Sequence, residues 1–359
     1  MNIYRKFTIV FIICLFFYII FRLVSHRIIL LQLEGFNYDG FTESFTERFT
    51  PENSQVLTIK KENIIPQNIT NINKNILSKP LIKTYIKSSY GGGYDGTDIS
   101  LDMMNYTLSL GYRYVVIHVF YDIVNDGTES TSKTAVVGFS SVYSPLSNTA
   151  NKTISLYDLL QNIQQNAFSP TSPNSGDPFF LHILPAYQLV DKENETNQSI
   201  YQSITGFNTQ LNSQIEQALQ DIKLSNRFSN NLKDSTPLDK INGKFVIVMD
   251  SKSINGNMTD NLKDLIGLSV LTSKIQSVKQ LKQPTEDTFN IVLPINEKGA
   301  LLTNNSDYIN KYRGYKLNAT PVCIWESRFI ISMLGSSSGK TNLGEYEELF
   351  AQEGCAFII

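Results

Sequence analysis

The chain is predicted to be an α/β protein, a (β/α)8 barrel of the TIM type preceded by one transmembrane helix, and three observations lead there. Short apolar, β-branched runs alternate with stretches of helical period: YVVIHVF at 114–120, TAVVGF at 134–139, FFLHIL at 179–184, KFVIVMD at 244–250 and FNIVLP at 289–294. The alternation continues over about 280 residues, which points to a parallel sheet covered by helices, and a barrel is the common closed solution at that length. One long apolar run stands at the amino terminus, and 42% of the 359 residues are hydrophobic, enough for a sizeable core.

From Phe7 to Phe21 the apolar run is interrupted only by Thr8, and Arg22 can snorkel so that apolar coverage reaches Val24. Roughly 18 residues at about 1.5 Å each give about 27 Å, close to the hydrocarbon thickness of a bilayer. The run ends Ile-Ile-Phe-Arg-Leu-Val-Ser-His-Arg, bulky and basic where a cleavable leader carries small residues. An uncleaved single-pass anchor with its flank is therefore expected over residues 1–33. Arg5 and Lys6 before it nearly balance Arg22 and Arg27 after it, so the positive-inside rule leaves the orientation open. Sequons at Asn68, Asn105, Asn151, Asn194, Asn197, Asn257, Asn304 and Asn318 permit a lumenal or exterior barrel, the side slightly favoured, though a chain so rich in Asn, Ser and Thr carries about that many by composition.

Residues 34–78 read as a polar stalk. Within it Phe41, Phe45 and Phe49 fall at i, i+4 and i+8, one stripe of a short helix that suits pairing between protomers, the membrane surface or packing on its own barrel. Residues 79–359 are expected to form the barrel as one domain. Between its second and third apolar runs and the next, Ile154 to Phe168 reads as a helix, with Ile154, Leu156, Leu159, Leu160 and Ile163 on one broad face.

A net charge of -2 provides no basic field for nucleic acid. Cys14 lies in the apolar run, which leaves Cys323 and Cys355; there is no disulfide framework and no Cys/His spacing for zinc. Gly91, Gly92 and Gly93 read first as a permissive turn and second as a cradle of amides for a phosphate. Gly335 to Thr341 (GSSSGKT) has three residues where a phosphate-binding loop has four, with Leu334 in the required glycine position, and is rejected. Asp250 and Glu326 are isolated acids in apolar runs, either solvated or surviving members of a site.

Pro80 to Tyr94 (PLIKTYIKSSYGGGY), Gly111 to Asp122 (GYRYVVIHVFYD) and Asp177 to Tyr187 (DPFFLHILPAY) together resemble the X region of phosphoinositide-specific phospholipase C, a calcium-dependent phosphodiesterase on a (β/α)8 barrel. The resemblance continues in family order through Leu238 to Asp250, Leu262 to Val270, Phe289 to Pro294, Asn304 to Tyr308, Pro321 to Phe329 as the final strand, and Tyr346 to Ile359 as the segment that closes the barrel. It covers roughly residues 78–359 and is similar to degenerate, membrane-anchored forms in large DNA viruses. The resemblance implies a site that this chain does not fill. The family's Ser-Ser-His-Asn is here Ser88, Ser89, Tyr90 and Gly91, its Glu-Leu-Asp is Val116, Ile117 and His118, its Ser-Leu-Glu is His182, Ile183 and Leu184, and its His-Gly gives way to Val137 to Ser140.

Only three histidines exist, at 26, 118 and 182, whereas the family mechanism uses two as general base and acid, a role worth on the order of 10²–10⁴-fold in rate. No cofactor is expected, and the family's calcium site is read as not retained. Arg113 matches a family arginine for which the resemblance implies a structural role. The expected function is a membrane-anchored phosphodiesterase-like barrel, catalytically degenerate, serving as a binding or virion-surface module for a lipid, phosphate-containing or protein ligand. The alternative is an active phosphodiesterase with a site rebuilt from Tyr90, His118, His182 and Glu326. His118 and His182 are expected to face the barrel interior near each other.

Overall fold

The computed structural model describes residues 69–95, 97–125, 132–140, 147–188, 198–224, 227–233, 235–250, 259–270, 275–277, 291–293, 320–322, 347 and 350–359. The expected anchor, residues 34–68 of the expected stalk, Asn304 to Tyr308, Glu326 and Gly335 to Thr341 lie outside these residues, whereas residues 69–78, read from the sequence as stalk, pack into the fold with Ile69, Ile72 and Ile76 buried. Among the described residues no helix is long and apolar enough to cross a membrane.

Six strands form a continuous parallel ladder in the order β10 (Thr320–Val322), β1 (Tyr85–Tyr90), β2 (Tyr114–Ile123), β5 (Phe179–Pro185), β6 (Phe245–Asp250) and β7 (Leu268–Val270). Two more, β8 (Ile275–Ser277) and β9 (Ile291–Leu293), pair in parallel with each other, and β9 runs beside β10. Read in chain order, this is the sequential neighbour order that a (β/α)8 barrel requires.

Helices occupy one face of the ladder. After the single-turn α1 (Lys74–Leu77), α2 (Leu101–Ser109) starts at Ser100, whose hydroxyl accepts the Met103 amide, and α3 (Leu156–Ala167) starts at Ser155, whose hydroxyl accepts the Asp158 amide. Of the apolar face read from the sequence, α3 buries Leu156, Leu159, Leu160 and Ile163, while Ile154 falls before the helix in a two-residue strand and is half-buried. A long helix, α4 (Gln198–Leu224), follows β5, and the short α5 (Asp260–Leu265), capped by Thr259, leads into β7.

The even-numbered residues of β2, with their register partners, form the opposite face. Val115 packs toward Met104 of α2, and a Cβ at Gly92 would sit 2.1 Å from Val115 Cγ1 and 3.2 Å from Met104 Cε. Val115 therefore points at the helices and Val116 away from them. Yet Tyr90, Tyr114, Val116, His118 and His182 on that opposite face are all fully buried, as happens when a sheet curls around its own side chains.

Two expected elements differ. The TAVVGF run is not a third parallel strand: as β3 (Lys133–Gly138) it folds back antiparallel on β2 and then pairs with β4 (Ile154–Ser155). Residues 124–132 are too few for the crossover that a parallel pairing needs, about a dozen or more. The closing segment forms β11 (Phe357–Ile358), antiparallel to the first residues of β1, whereas β10 pairs with Lys87 to Ser89.

The amino-side floor of the sheet gathers both ends of the described chain. Thr70 donates its amide to Gly354 O at 2.8 Å, and the Ile72 amide donates to Asp177 Oδ1 at 2.7 Å. Arg113, just before β2, is buried and donates to Ala167 O at 2.8 Å, to Ser172 Oγ at 3.0 Å and to Asn174 O. Burial lowers the Arg113 pKa to about 10 and raises the Asp177 carboxyl to about 7, against the pull of the Ile72 amide and the Arg113 charge. Beside this floor Lys87 pairs with Glu347, both buried; Lys87 also donates to Leu110 O at 2.6 Å and Tyr112 donates to Glu347 Oε1 at 2.6 Å. That cluster pins the carboxyl-terminal segment to β1.

Candidate functional site

Parallel register sorts the interior face into levels. Ser88, Tyr114, Phe180 and Val246 share the lowest; Tyr90, Val116, His182, Val248 and Leu268 the next; His118, Leu184, Asp250 and Val270 the level nearest the strands' carboxyl ends. Each histidine is bonded to a tyrosine one level below it on the neighbouring strand. Tyr90 Oη lies 3.0 Å from His118 Nε2, and Tyr114 Oη lies 3.1 Å from His182 Nδ1.

His118 and His182 thus share the interior on adjacent strands, one level apart. With β3 folded out of the ladder, β2 and β5 pair directly, and His118 stands opposite Leu184.

Enclosure fixes the charge state of both rings. Burial lowers the pKa of His118 to about 3, with His182 adding to the effect, and that of His182 to about 4, where the Asp250 charge pulls the other way. Desolvation disfavours the imidazolium, so both rings are neutral at physiological pH. His118 Nδ1 and His182 Nε2 have no hydrogen-bond partner among the described residues. Burial likewise holds the Tyr114 hydroxyl well above its ordinary value and therefore protonated.

Aromatic rings cover the upper level. Tyr94, just past the glycine run, stacks on Phe139 with centroids 4.1 Å apart and planes 5° apart. Phe139 meets His118 edge-on at 5.5 Å and Tyr90 at 6.3 Å. Phe139 follows Gly138, the residue opposite His118, and both Phe139 and Tyr94 are buried. Beside this plug Tyr187 donates to Asn212 Oδ1 of α4 at 2.5 Å, and burial raises the pKa of its hydroxyl, with the Asp250 charge adding to the effect.

The glycine run is a turn. Gly91 and Gly93 have φ of 70° and 86°, the left-handed region that glycine enters freely. The amides of Gly91 and Gly92 both donate to Val116 O, at 3.0 and 3.1 Å, so they are committed to the sheet rather than presented to a phosphate.

At the positions the family resemblance gives to metal-holding acids, this chain places Val116, His118 and Leu184, all buried. A calcium ion takes about six to eight oxygen ligands. These three side chains offer an imidazole and no oxygen, so they do not fit that ion. Among the described residues no three His, Cys, Asp or Glu side chains group to hold a metal.

Of the sequence candidates, the structure brings Tyr90, His118 and His182 into one interior cluster and places Asp250 at its upper level; Glu326 lies outside the described residues. Sequence reasoning missed Tyr114 and the Tyr94–Phe139 plug. Tyr114 was findable, since it stands two residues before Val116 on the same strand face.

No protein-family model matches the chain, and no curated protein matches its sequence. Solved structures similar to it include L. pealei PLC21, at 14% identity and a TM-score of 0.39, over 72% of this chain and 32% of that one. The calcium-dependent phosphoinositol-specific phospholipase C of Pseudomonas sp. is similar at 11% identity and a TM-score of 0.38, over 80% and 97% of the two chains. The calcium-dependent phosphatidylinositol-specific phospholipase C of Streptomyces antibioticus is similar at 8% identity and 0.34, over 69% and 95%. The chain thus spans about a third of the L. pealei protein.

Proposed function

We propose that this chain is a membrane-anchored barrel of the phospholipase C-like phosphodiesterase type that has lost calcium-dependent phosphodiester chemistry and acts as a binding module on a membrane or virion surface. The observation that carries the reading is the interior cluster itself. Where a phosphodiesterase needs solvent-reachable acids and bases, this chain has two neutral imidazoles bonded to tyrosines and closed off by Tyr94 and Phe139. A general acid works best with a pKa near the operating pH, and values of about 3 and 4 are far from it. The anchor is residues 7–24, the barrel faces the lumen or exterior, and the ligand, whether lipid, phosphate-containing or protein, meets the outer surface of the barrel rather than its axis.

The experiment is an assay of the purified full chain in detergent micelles with phosphoinositide and calcium. No inositol phosphate above a no-protein control is expected. Calcium-dependent release that Tyr90→Phe or His118→Gln abolishes would overturn the reading in favour of a rebuilt phosphodiesterase. The open ring nitrogens of His118 and His182 are what that second reading rests on, and it requires the aromatic plug to open.

A further inference from the structure

The two sequons within the described residues have opposite surroundings. Asn105 lies in the middle of α2 with its Oδ1 buried, and the third residue of its sequon, Thr107, is buried and donates to Met103 O at 2.9 Å. Asn151 is exposed on the turn before β4, and among the described residues no hydrogen bond engages its side-chain amide. Its backbone is held on both sides: the Asn151 amide donates to Thr97 O at 2.9 Å, Asn125 Nδ2 donates to Asn151 O at 2.6 Å, and the Ile99 amide donates to Lys152 O at 3.0 Å. The turn therefore presents the Asn151 amide outward from a fixed position.

Beside that turn lies a groove of about 360 Å³. Leu101, Val124 and Ile154 form its apolar floor, and Asp158, Gln161, Asn162 and Gln165 of α3 form a wall of carboxylate and amide groups. Each segment that frames Asn151 leads into it: Ile99 toward Leu101, Asn125 back to Val124, and Lys152 on to Ile154. The Asn162 Oδ1 acceptor in the wall is buried without a partner among the described residues. An apolar floor with a row of amides matches a sugar ring, which offers C–H faces to one and hydroxyls or an acetamide to the other.

We propose that Asn151 carries an N-linked glycan whose first sugars lie in this groove against Gln161, Asn162 and Gln165. This rests on the reading that the barrel faces the lumen or exterior. In the transfer, Asn151 Nδ2 loses a proton and bonds to C1 of an oligosaccharide donor activated as a pyrophosphate; the C1–O bond breaks and the pyrophosphate leaves. Asn105 stays bare, because its helix and the burial of Thr107 remove the sequon once α2 forms.

The test uses the full chain expressed in cells that glycosylate secreted proteins, with peptide mass spectrometry after treatment by an amide-cleaving glycosidase. Asn151 is expected to be occupied, Asn105 bare, and Asn151→Gln to remove one glycan's mass. The Asn151 glycan is expected to be released several-fold more slowly from native than from denatured protein, and Gln161→Ala with Gln165→Ala should remove that protection. Other sequons occupied with Asn151 bare would overturn the proposal while leaving the barrel's orientation intact. No glycan anywhere, with the barrel digested only after the membrane is permeabilised, would overturn the exterior reading and this proposal with it. Equal release from the native wild type and from the protein carrying Gln161→Ala with Gln165→Ala would overturn the seating in the groove.

Discussion

Acidification sets two buried groups against a third, and their balance can be read from stability. His118 and His182 have an ordinary pKa of 6.5, lowered to about 3 and about 4 by burial in the folded chain. For a group with a depressed folded value, the folded state binds fewer protons, so its contribution to stability is full above pH 6.5 and is lost as pH falls toward the folded value. From pH 7.5 to 5 each ring costs about 2 kcal/mol, since the unfolded chain is protonated over about 1.5 units while the folded rings remain neutral. Asp177 acts in the opposite sense. Its folded value of about 7 lies above the ordinary 3.8, so the folded chain takes up the proton first and gains roughly 2–3 kcal/mol over the same interval. The wild type should therefore lose only about 1–2 kcal/mol between pH 7.5 and 5. Asp177→Asn keeps an oxygen for the Ile72 amide but removes the titration, and its loss should grow to about 4 kcal/mol. Urea midpoints of the purified full chain at the two pH values, followed by far-ultraviolet circular dichroism, measure both. An Asp177→Asn protein no more sensitive to acid than the wild type would refute the assignment of opposed buried groups.

Two further outcomes are expected. Lys87→Met strands the Glu347 charge beside Tyr112 in a buried site, and breaking such a pair costs about 3–5 kcal/mol; pairing it with Glu347→Leu should recover most of that in urea denaturation, whereas equal damage in the single and double variants would show that the ion pair does not carry the contact. The full chain should remain in the membrane pellet on alkaline carbonate extraction, and recovery in the soluble fraction, or a mature amino terminus beyond Val24, would remove the anchor.

Much of the local structure was legible because it obeys periodicities of the chain itself. The runs YVVIHVF, FFLHIL and KFVIVMD are strands because β-branched and aromatic side chains fit a pleated, two-sided buried surface, and they became β2, β5 and β6. The α3 face was written in the spacing of Leu156, Leu159, Leu160 and Ile163. The alternation of strand faces also placed Val116 with His118 and His182 with Leu184. TAVVGF has the same local character as its neighbours, and nothing within it distinguishes a parallel strand from the return arm of a hairpin; the length of the preceding loop decides that.

What the sequence by itself determined was therefore the type of most described elements, the inward parity of their strand residues, and which side chains stand at the positions that the resemblance matches, since all three depend on residue identity and local spacing. Which side chains meet was decided only by the tertiary structure. Tyr90 with His118, Tyr114 with His182, Tyr94 on Phe139 and Lys87 with Glu347 are separated by 28, 68, 45 and 260 residues or so along the chain. Such contacts depend on strand register and on the folding-out of β3, and only burial in the assembled sheet turns two ordinary histidines into neutral ones, because the cost of charging an imidazole is set by what surrounds it.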